Sequence, residues 1–389
     1  MNFSSRFRWG FESNRLTRTL EEKRRQGAEI LDLTVSNPTQ VGLTYPPNVV
    51  QAFADERLLR YNPSPLGARE ARVAVARYYA ARGISVEPER ILLTASTSEA
   101  YSYLFKLLSD PGDHVLVPHP SYPLFEFLAN MESVEVRPYP LVYEGTWSID
   151  LAALTAALTS RTRAIILVNP NNPTGSYLKR GEFEQLSDLC AAHQIVLISD
   201  EVFSDYAFRD DSERVRSLAD ATNGLVFSMG GLSKAAGLPQ MKLGWMVIAG
   251  AEDQRQKALE RLEWIADTYL SVGTPVQCAA SGLLEVGESV QQQIRERTRE
   301  NLGFVREVFQ ATPATVLDVE GGWSAILRVP SVRSEEEWVL QLLTNHNLLV
   351  QPGFFYDFAS EAFLVVSLLP ALETFRQGIS RIRAFLECA

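Results

Sequence analysis

The chain of 389 residues carries 37 lysines and arginines against 47 aspartates and glutamates, for a formal net charge of −10. That balance excludes nucleic acid or an anionic membrane surface as the main partner, and a phosphate-bearing ligand would need a local positive site. With 46% hydrophobic residues there is enough apolar material for one large domain and a smaller one.

In chain order, Asn14–Gln26 reads as a helix, followed by the alternating strand Ile30–Thr34 and a break at Ser36-Asn37-Pro38-Thr39. A turn-rich stretch from Tyr61 to Gly67 leads into a helix over Ala68–Arg82, closed by Gly83. Short apolar runs then alternate with helical patterns at Ile91–Leu93, His114–Val117, Val134–Val136, Ala164–Val168, Ile195–Ile198, Leu225–Phe227 and Trp245–Ile248. This predicts an α/β fold, a mainly parallel seven-stranded sheet with helices on both faces, whose ligands bind outside the carboxyl ends of the strands. Gly273-Thr274-Pro275 reads as a break, Val290–Phe309 as an exposed connecting helix, and the remainder as a small α+β domain. The predicted division is 46–285 for the large domain and 1–45 with 286–389 for the small one. Cys190, Cys278 and Cys388 are odd in number and far apart, which suits reduced cytoplasmic thiols better than disulfides or zinc. Met1–Gly10 lacks the apolar core of a signal peptide, and no segment is long and uncharged enough to span a bilayer.

The strand ends carry the chemistry. Lys234, in Gly231-Leu232-Ser233-Lys234-Ala235-Ala236-Gly237, lies on a loop between two strands. Alone it reads as a solvated lysine; held at a sheet edge, a desolvated amine becomes a nucleophile that forms Schiff bases with carbonyls, the aldehyde of pyridoxal phosphate (PLP) among them. Ser96, Thr97 and Ser98 open a helix directly after a strand, with Ser96 and Glu99 at capping-box spacing, and such a terminus is either merely capped or a phosphate cradle. Asn172 stands in a loop fixed by prolines and Gly175 and can donate its amide to a ring oxygen. Asp200, at the end of a strand buried on both faces, is costly unless paired; it either caps the next helix or meets a cation such as a pyridinium nitrogen. Tyr122 follows another strand and could stack on a planar ring or simply pack.

Together these segments resemble the class I/II aminotransferases of PLP fold type I, over nearly the whole chain and in the family's order. Ser233-Lys234 with Gly237-Leu238-Pro239 is similar to the family's lysine motif, Asn172-Pro173-Thr174-Gly175 to its asparagine loop, and Asp200-Glu201 to its pyridine-nitrogen aspartate. The resemblance implies a PLP-dependent aminotransferase acting through a Lys234 Schiff base, with an amino donor and a 2-oxo acid as substrates. It also implies that Tyr122 stacks on the ring and that Ser96, Thr97 and Ser98 hold the phosphate. Tyr61 would reach the phosphate of the neighbouring subunit in a homodimer with shared active sites.

Four positions depart from the family pattern. Lys242 stands where a phosphate-binding arginine is usual, Gly231 replaces a hydroxyl, Phe203 replaces a tyrosine that donates to the cofactor's phenolic oxygen, and Val365 replaces the arginine that clamps the substrate carboxylate. A lysine at 242 keeps the charge and loses the bidentate fork. Arg328, or the backbone near Ser36 and Asn37, are the candidates to take over the carboxylate; Tyr45, Trp323, Gln351 and Phe354 are further candidate lining residues. A β-lyase, an amine transaminase and a non-catalytic PLP-binding regulator are the alternatives, and the retention of Lys234, Asp200 and Asn172 argues against the last.

Overall fold

The computed structural model describes residues 3–7 and 13–387. Cys388 and part of the Met1–Gly10 stretch lie outside the described residues. In order come α1 (Arg15–Arg25), β1 (Leu31–Asp32), α2 (Asn48–Gln51), α3 (Arg69–Ala80), β2 (Ile91–Thr94), α4 (Thr97–Leu108), β3 (His114–His119) and α5 (Phe125–Met131). They are followed by β4 (Glu135–Tyr143), β5 (Trp147–Ile149), α6 (Leu151–Ala157), β6 (Thr162–Val168), α7 (Arg180–His193), β7 (Val196–Asp200), β8 (Leu225–Gly231), α8 (Leu232–Ala235), β9 (Gly244–Gly250) and α9 (Glu252–Tyr269). The chain closes with α10 (Thr274–Val308), β10 (Thr315–Val316), β11 (Ser324–Arg328), α11 (Glu335–His346), β12 (Leu348–Leu349), β13 (Gln351–Pro352), β14 (Phe363–Ser367) and α12 (Leu372–Glu387).

The large sheet has eight strands in the order β2-β9-β8-β7-β6-β3-β4-β5. The seven predicted runs are all in it, and the eighth strand, β5, is the three-residue run Trp-Ser-Ile paired antiparallel with β4. The run from β8 through β4 is parallel, whereas β9 lies antiparallel to both β8 and β2. Its central strands are buried on both faces, so alternate residues of one strand enter different cores. Ala164 and Ile166 pack with α4 and α9 residues such as Leu104 and Leu262, while Ile165 and Leu167 pack with Leu186 and Cys190 of α7. At roughly 1.5–3 kcal/mol per fully buried large aliphatic side chain, this double coverage is what fixes the register of the strands, because a slip of one residue would exchange the two sets.

A second, four-stranded sheet, β10-β11-β14-β13, packs with α11 and α12 around Trp338, Leu364, Phe375 and Ile379. Leu33 belongs to this core, and β1 pairs with β12, so the segment following α1 joins the C-terminal unit. The break expected at Gly273 is the junction between α9 and α10: Gly273 is the N-cap of α10, whose 35 residues carry Pro275 in the first turn, where its missing N–H costs nothing. The boundary expected at 285/286 therefore falls inside one continuous helix. No described helix is long and apolar enough to cross a membrane.

Candidate active site

Three neighbouring parallel strands, β6, β7 and β8, end side by side, with Val168 opposite Asp200 and Asp200 opposite Met229. Each leads into one of the sequence candidates: β6 into Asn172, β7 into Asp200, and β8 through Gly231 into Lys234. The side-by-side placement follows from topology, because parallel strands present all their carboxyl ends on one edge.

Asp200 is buried, and its oxygens accept hydrogen bonds from the Val202 N–H at 3.2 Å and the Tyr101 hydroxyl at 3.3 Å. Burial pushes its pKa up to about 6, against the opposing pull of those two donors and of the Lys234 charge. Among the described residues it has no ion pair. Lys234 is only part-buried as a whole residue, yet desolvation of its amine lowers the pKa to about 8, with the charge of Asp200 opposing. Its Nζ forms no hydrogen bond or ion pair among the described residues and lies 4.8 Å from the Trp323 ring centroid and 5.5 Å from that of Phe203. The Asn172 Oδ1 accepts from the Ser324 hydroxyl at 3.2 Å, leaving the amide nitrogen with no partner among the described residues.

The segment around Lys234 is braced from behind. The Tyr206 hydroxyl donates to the Lys234 carbonyl, the Tyr45 hydroxyl to the Gly237 carbonyl at 2.7 Å, and Gln291 Nε2 to the Ala235 carbonyl at 2.8 Å. Gly237 adopts φ 63°, and a Cβ there would meet Val290 at 2.7 Å, so the turn requires glycine. The missing hydroxyl at 231 has a similar cause: a Cβ would lie 3.2 Å from the Leu243 carbonyl oxygen and 3.3 Å from Gly244 Cα, where β8 and β9 approach closely.

At the end of β2, the Ser96 hydroxyl caps α4 by accepting from the Glu99 N–H at 3.2 Å, and Glu99 returns the contact to the Ala95 N–H at 2.7 Å. Capping thus engages the Ser96 side chain, and the first-turn N–H groups and hydroxyls of Thr97 and Ser98 are what remains to receive an anion. Gly244 lies against this turn, since a Cβ on it would meet Ser96 C and Thr94 Oγ1, each at 3.0 Å. Lys242, exposed and left-handed at φ 52°, stands two residues before it. Ser233 sits within α8, directly before Lys234.

Tyr122 is 47% exposed, and its ring contacts are Phe355 and Tyr356. Tyr61 is 80% exposed. The Asn37 side chain accepts from the Thr39 N–H and hydroxyl, which makes it a turn cap, and Ser36 is exposed one residue beyond Val35, whose carbonyl takes the Ser367 hydroxyl. Val365 is sealed among Trp147, Leu317, Ile326 and Tyr356. Arg328 is exposed at the far end of β11, four residues beyond Ser324 and hence about 13 Å along the strand from the contact with Asn172. That distance removes it as a carboxylate clamp. Among the further lining candidates, Tyr45 braces Gly237, Gln351 pairs with Val365, and Phe354 is largely exposed; only Trp323 reaches Lys234.

One participant is absent from the sequence candidates, and another has a different part from the one expected. Tyr101 was visible only as part of an apolar helix, although a hydroxyl-bearing ring buried one turn past the cradle is a usable signal. Phe203, read as a lost donor, turns out to pack edge-on to Trp323 at 5.2 Å and to wall the Lys234 amine.

These groups fit PLP. A buried carboxylate without a cation suits the ring nitrogen, an unpartnered amine the aldehyde, an unpartnered amide donor the phenolic oxygen, and a capped helix N-terminus the phosphate.

The comparisons agree. The model of the family described as aminotransferase class I and II matches residues 28–381. The glutamate-pyruvate aminotransferase AlaA of Escherichia coli (strain K12) is 25% identical over 381 residues, covering 93% of this chain and 91% of the relative. The alanine aminotransferase of Mycobacterium tuberculosis (strain ATCC 25618 / H37Rv) is 27% identical over 379 residues, covering 93% and 86%. Among solved structures, the alanine aminotransferase from Pyrococcus furiosus superposes with a TM-score of 0.89 at 23% identity over 100% of both chains.

Proposed function

The chain belongs to the class I and II aminotransferases and is a PLP-dependent transaminase; within that activity, we propose the following roles for its residues. Lys234 carries the cofactor and, once the substrate amine has taken its place, uses the freed Nζ to accept the proton from the substrate's Cα. Asp200 holds a proton on the ring nitrogen through charge pairing, with Tyr101 steadying the carboxylate. Asn172 donates to the phenolic oxygen, and Ser96, Thr97, Ser98, Ser233 and Lys242 form the phosphate end. Tyr122 covers a ring face, and Phe203 borders the phenolic oxygen without donating to it. When bound, PLP supplies the electron sink that lets the Cα proton leave. The observation that carries these assignments is that three groups follow the ends of adjacent strands, Lys234 Nζ and Asn172 Nδ2 without a hydrogen-bond partner and the Asp200 carboxylate without an ion pair among the described residues.

The substrates we propose are an α-amino acid and a 2-oxo acid, with alanine, glutamate and pyruvate as the first to test, because the names of the relatives above contain them. Val365 is the observation that favours a second reading, an amine without an α-carboxylate as donor. Mixing holoenzyme with a donor and following loss of the cofactor's long-wavelength absorption, then its recovery on adding pyruvate, tests the half-reactions. A parent-like response in Lys234→Ala would refute the assignment.

A homodimer is part of the same reading. Val50, Leu59, Tyr61 and Trp264 expose 77%, 87%, 80% and 78% of their surface, a load of apolar surface that association would cover. In such a dimer Tyr61 would reach the partner's phosphate. Sedimentation at micromolar concentration giving a monomer would end this proposal. We also assign the segments 1–45 and 286–389 to the small domain and 46–285 to the large one, and a cytoplasmic location to the protein, in keeping with thiols at Cys190 and Cys278 that are unpaired.

A further inference from the structure

Behind the Asp200 strand end, between α3, α10 and the loop after β7, lies a cavity of about 360 Å³ lined by five arginines, Arg82, Arg214, Arg216, Arg295 and Arg299. Two carboxylates face the same space, and both are already engaged. Asp205 takes the guanidinium of Arg82 at 2.7 Å, that of Arg295 at 3.7 Å, the Tyr78 hydroxyl at 2.6 Å and Gln291 Nε2 at 2.7 Å. Glu201 is buried and accepts from Ser199, Ser217 and the Leu218 N–H. Arg214 lies with its guanidinium 4.7 Å from the Tyr177 ring centroid and has no ion pair among the described residues; neither have Arg216 and Arg299. Arg214, Arg216 and Arg299 thus line one cavity without an ion pair, and its five arginines outnumber its two carboxylates, in a chain whose net charge is −10. Such an excess of positive charge along a concave wall attracts anions to it.

We propose that this cavity binds a small polyanion, an organic acid bearing two or more carboxylate or phosphate groups. Arginine forks match both chemistries by paired N–H donors, and the volume suits a ligand of metabolite size. The site is separate from the cofactor's phosphate cradle at α4, yet it shares a wall with the Lys234 support. Gln291 Nε2 joins Asp205 to the Ala235 carbonyl, so a ligand that draws Arg82 or Arg295 away from Asp205 acts on the brace behind Lys234.

Calorimetric titration of the holoenzyme with citrate, and separately with pyrophosphate, at fixed ionic strength in chloride tests this. The expected result is one site per chain with submillimolar affinity for at least one of the two, the tighter naming carboxylate or phosphate as the preferred group. Arg216→Ala/Arg299→Ala, altering two exposed side chains, should weaken binding at least tenfold, while Arg328→Ala on the other sheet leaves it within twofold. Absence of heat with both anions, or equal affinity in the double variant and the parent, overturns the proposal. Circular dichroism and the cofactor absorption of the double variant establish that it is folded and loaded.

Discussion

The Tyr101 hydroxyl donates to Asp200 Oδ2 at 3.3 Å, reaching across from α4 to the end of β7. Because the proposed phosphate cradle is also on α4, one helix links the two ends of the proposed cofactor site. Tyr101→Phe removes the donor while keeping the ring that packs on Phe105 and Phe125. A hydrogen bond to a charged group contributes about 1.5–3 kcal/mol, and the long distance puts this one at the lower end. We expect a roughly tenfold loss of kcat with thermal stability nearly unchanged, against a far larger loss in Asp200→Ala. Unchanged kcat and cofactor affinity in Tyr101→Phe would mean that Val202 alone suffices to hold the carboxylate.

Asp200 and Lys234 make the apo site sensitive to pH in opposite ways. The Asp200 pKa is raised from 3.8 to about 6, so its stabilising contribution is complete below 3.8 and is lost as pH rises through about 6. The Lys234 pKa is lowered from 10.5 to about 8, so its contribution is complete above 10.5 and is lost as pH falls through about 8. Between about pH 6 and 8 the apoprotein therefore holds both groups charged at a cost, partly offset by their mutual attraction. Asp200→Asn should make the apoprotein more stable than the parent at pH 7, by up to about 2–3 kcal/mol, the attraction of Lys234 being already contained in the Asp200 shift. The gain should vanish below pH 4, and denaturant unfolding at both pH values checks the sign. The same shift predicts that the apoenzyme incorporates PLP with a rate that rises around pH 8 rather than 10.5, because the neutral amine is the nucleophile.

Phe203 gives a spectroscopic test. Tyr206, three residues on, spends its hydroxyl on the Lys234 carbonyl and so is not a substitute donor at the phenolic oxygen. Without a phenol there, the linkage between Lys234 and the cofactor should keep its proton to higher pH than in Phe203→Tyr. One new hydrogen bond of about 1–1.5 kcal/mol corresponds to a fall of about one pKa unit in the variant. A spectral titration with no shift, or with an upward one, would place the Phe203 ring away from that oxygen.

The residues that could be read in advance share one property: their placement is local. Lys234, Asp200 and Asn172 stand seven, two and four residues past the apolar runs ending at Phe227, Ile198 and Val168, so identifying the strand brought the position close. Their partners are set by tertiary packing, which leaves no mark at fixed spacing; Tyr101 and Gln291 stand 99 and 56 residues from Asp200 and the Ala235 carbonyl that they bond. β5 was missed because three residues are too short for a period to register; β9 was read as a strand but not as antiparallel, because an apolar run looks the same in either direction. Arg328 was misjudged for a geometric reason, since a strand advances about 3.3 Å per residue and four residues carry a side chain out of the site. Asn37 shows turn chemistry outcompeting a ligand role, its oxygen being taken by the Thr39 N–H and hydroxyl.

Val365 decides the donor. Its side chain is 1% exposed, and β14 sets it opposite Ile326 on one side and Gln351 on the other. Replacing it with arginine should therefore not restore a carboxylate clamp: the new charge would enter an apolar cluster without a partner, at a cost of about 3–5 kcal/mol, and the melting temperature should fall by several degrees. With Arg328 too far away, a substrate carboxylate has the backbone at Ser36 and Asn37 and the Asn172 amide as remaining donors. Hydrogen bonds from neutral groups to a carboxylate still contribute about 1.5 kcal/mol each, so two of them would favour an amino acid over its decarboxylated amine by roughly a hundredfold in kcat/KM. Measuring kcat/KM for alanine and glutamate beside ethylamine and 4-aminobutyrate, with pyruvate or 2-oxoglutarate as acceptor, reads that preference directly. A hundredfold preference for the amino acids that drops in Asn172→Ala assigns part of the clamp to Asn172, with cofactor affinity measured alongside to separate its hold on the ring. Equal rates, or faster turnover of the amines, would mean that no clamp has replaced the arginine and that the enzyme is an amine transaminase.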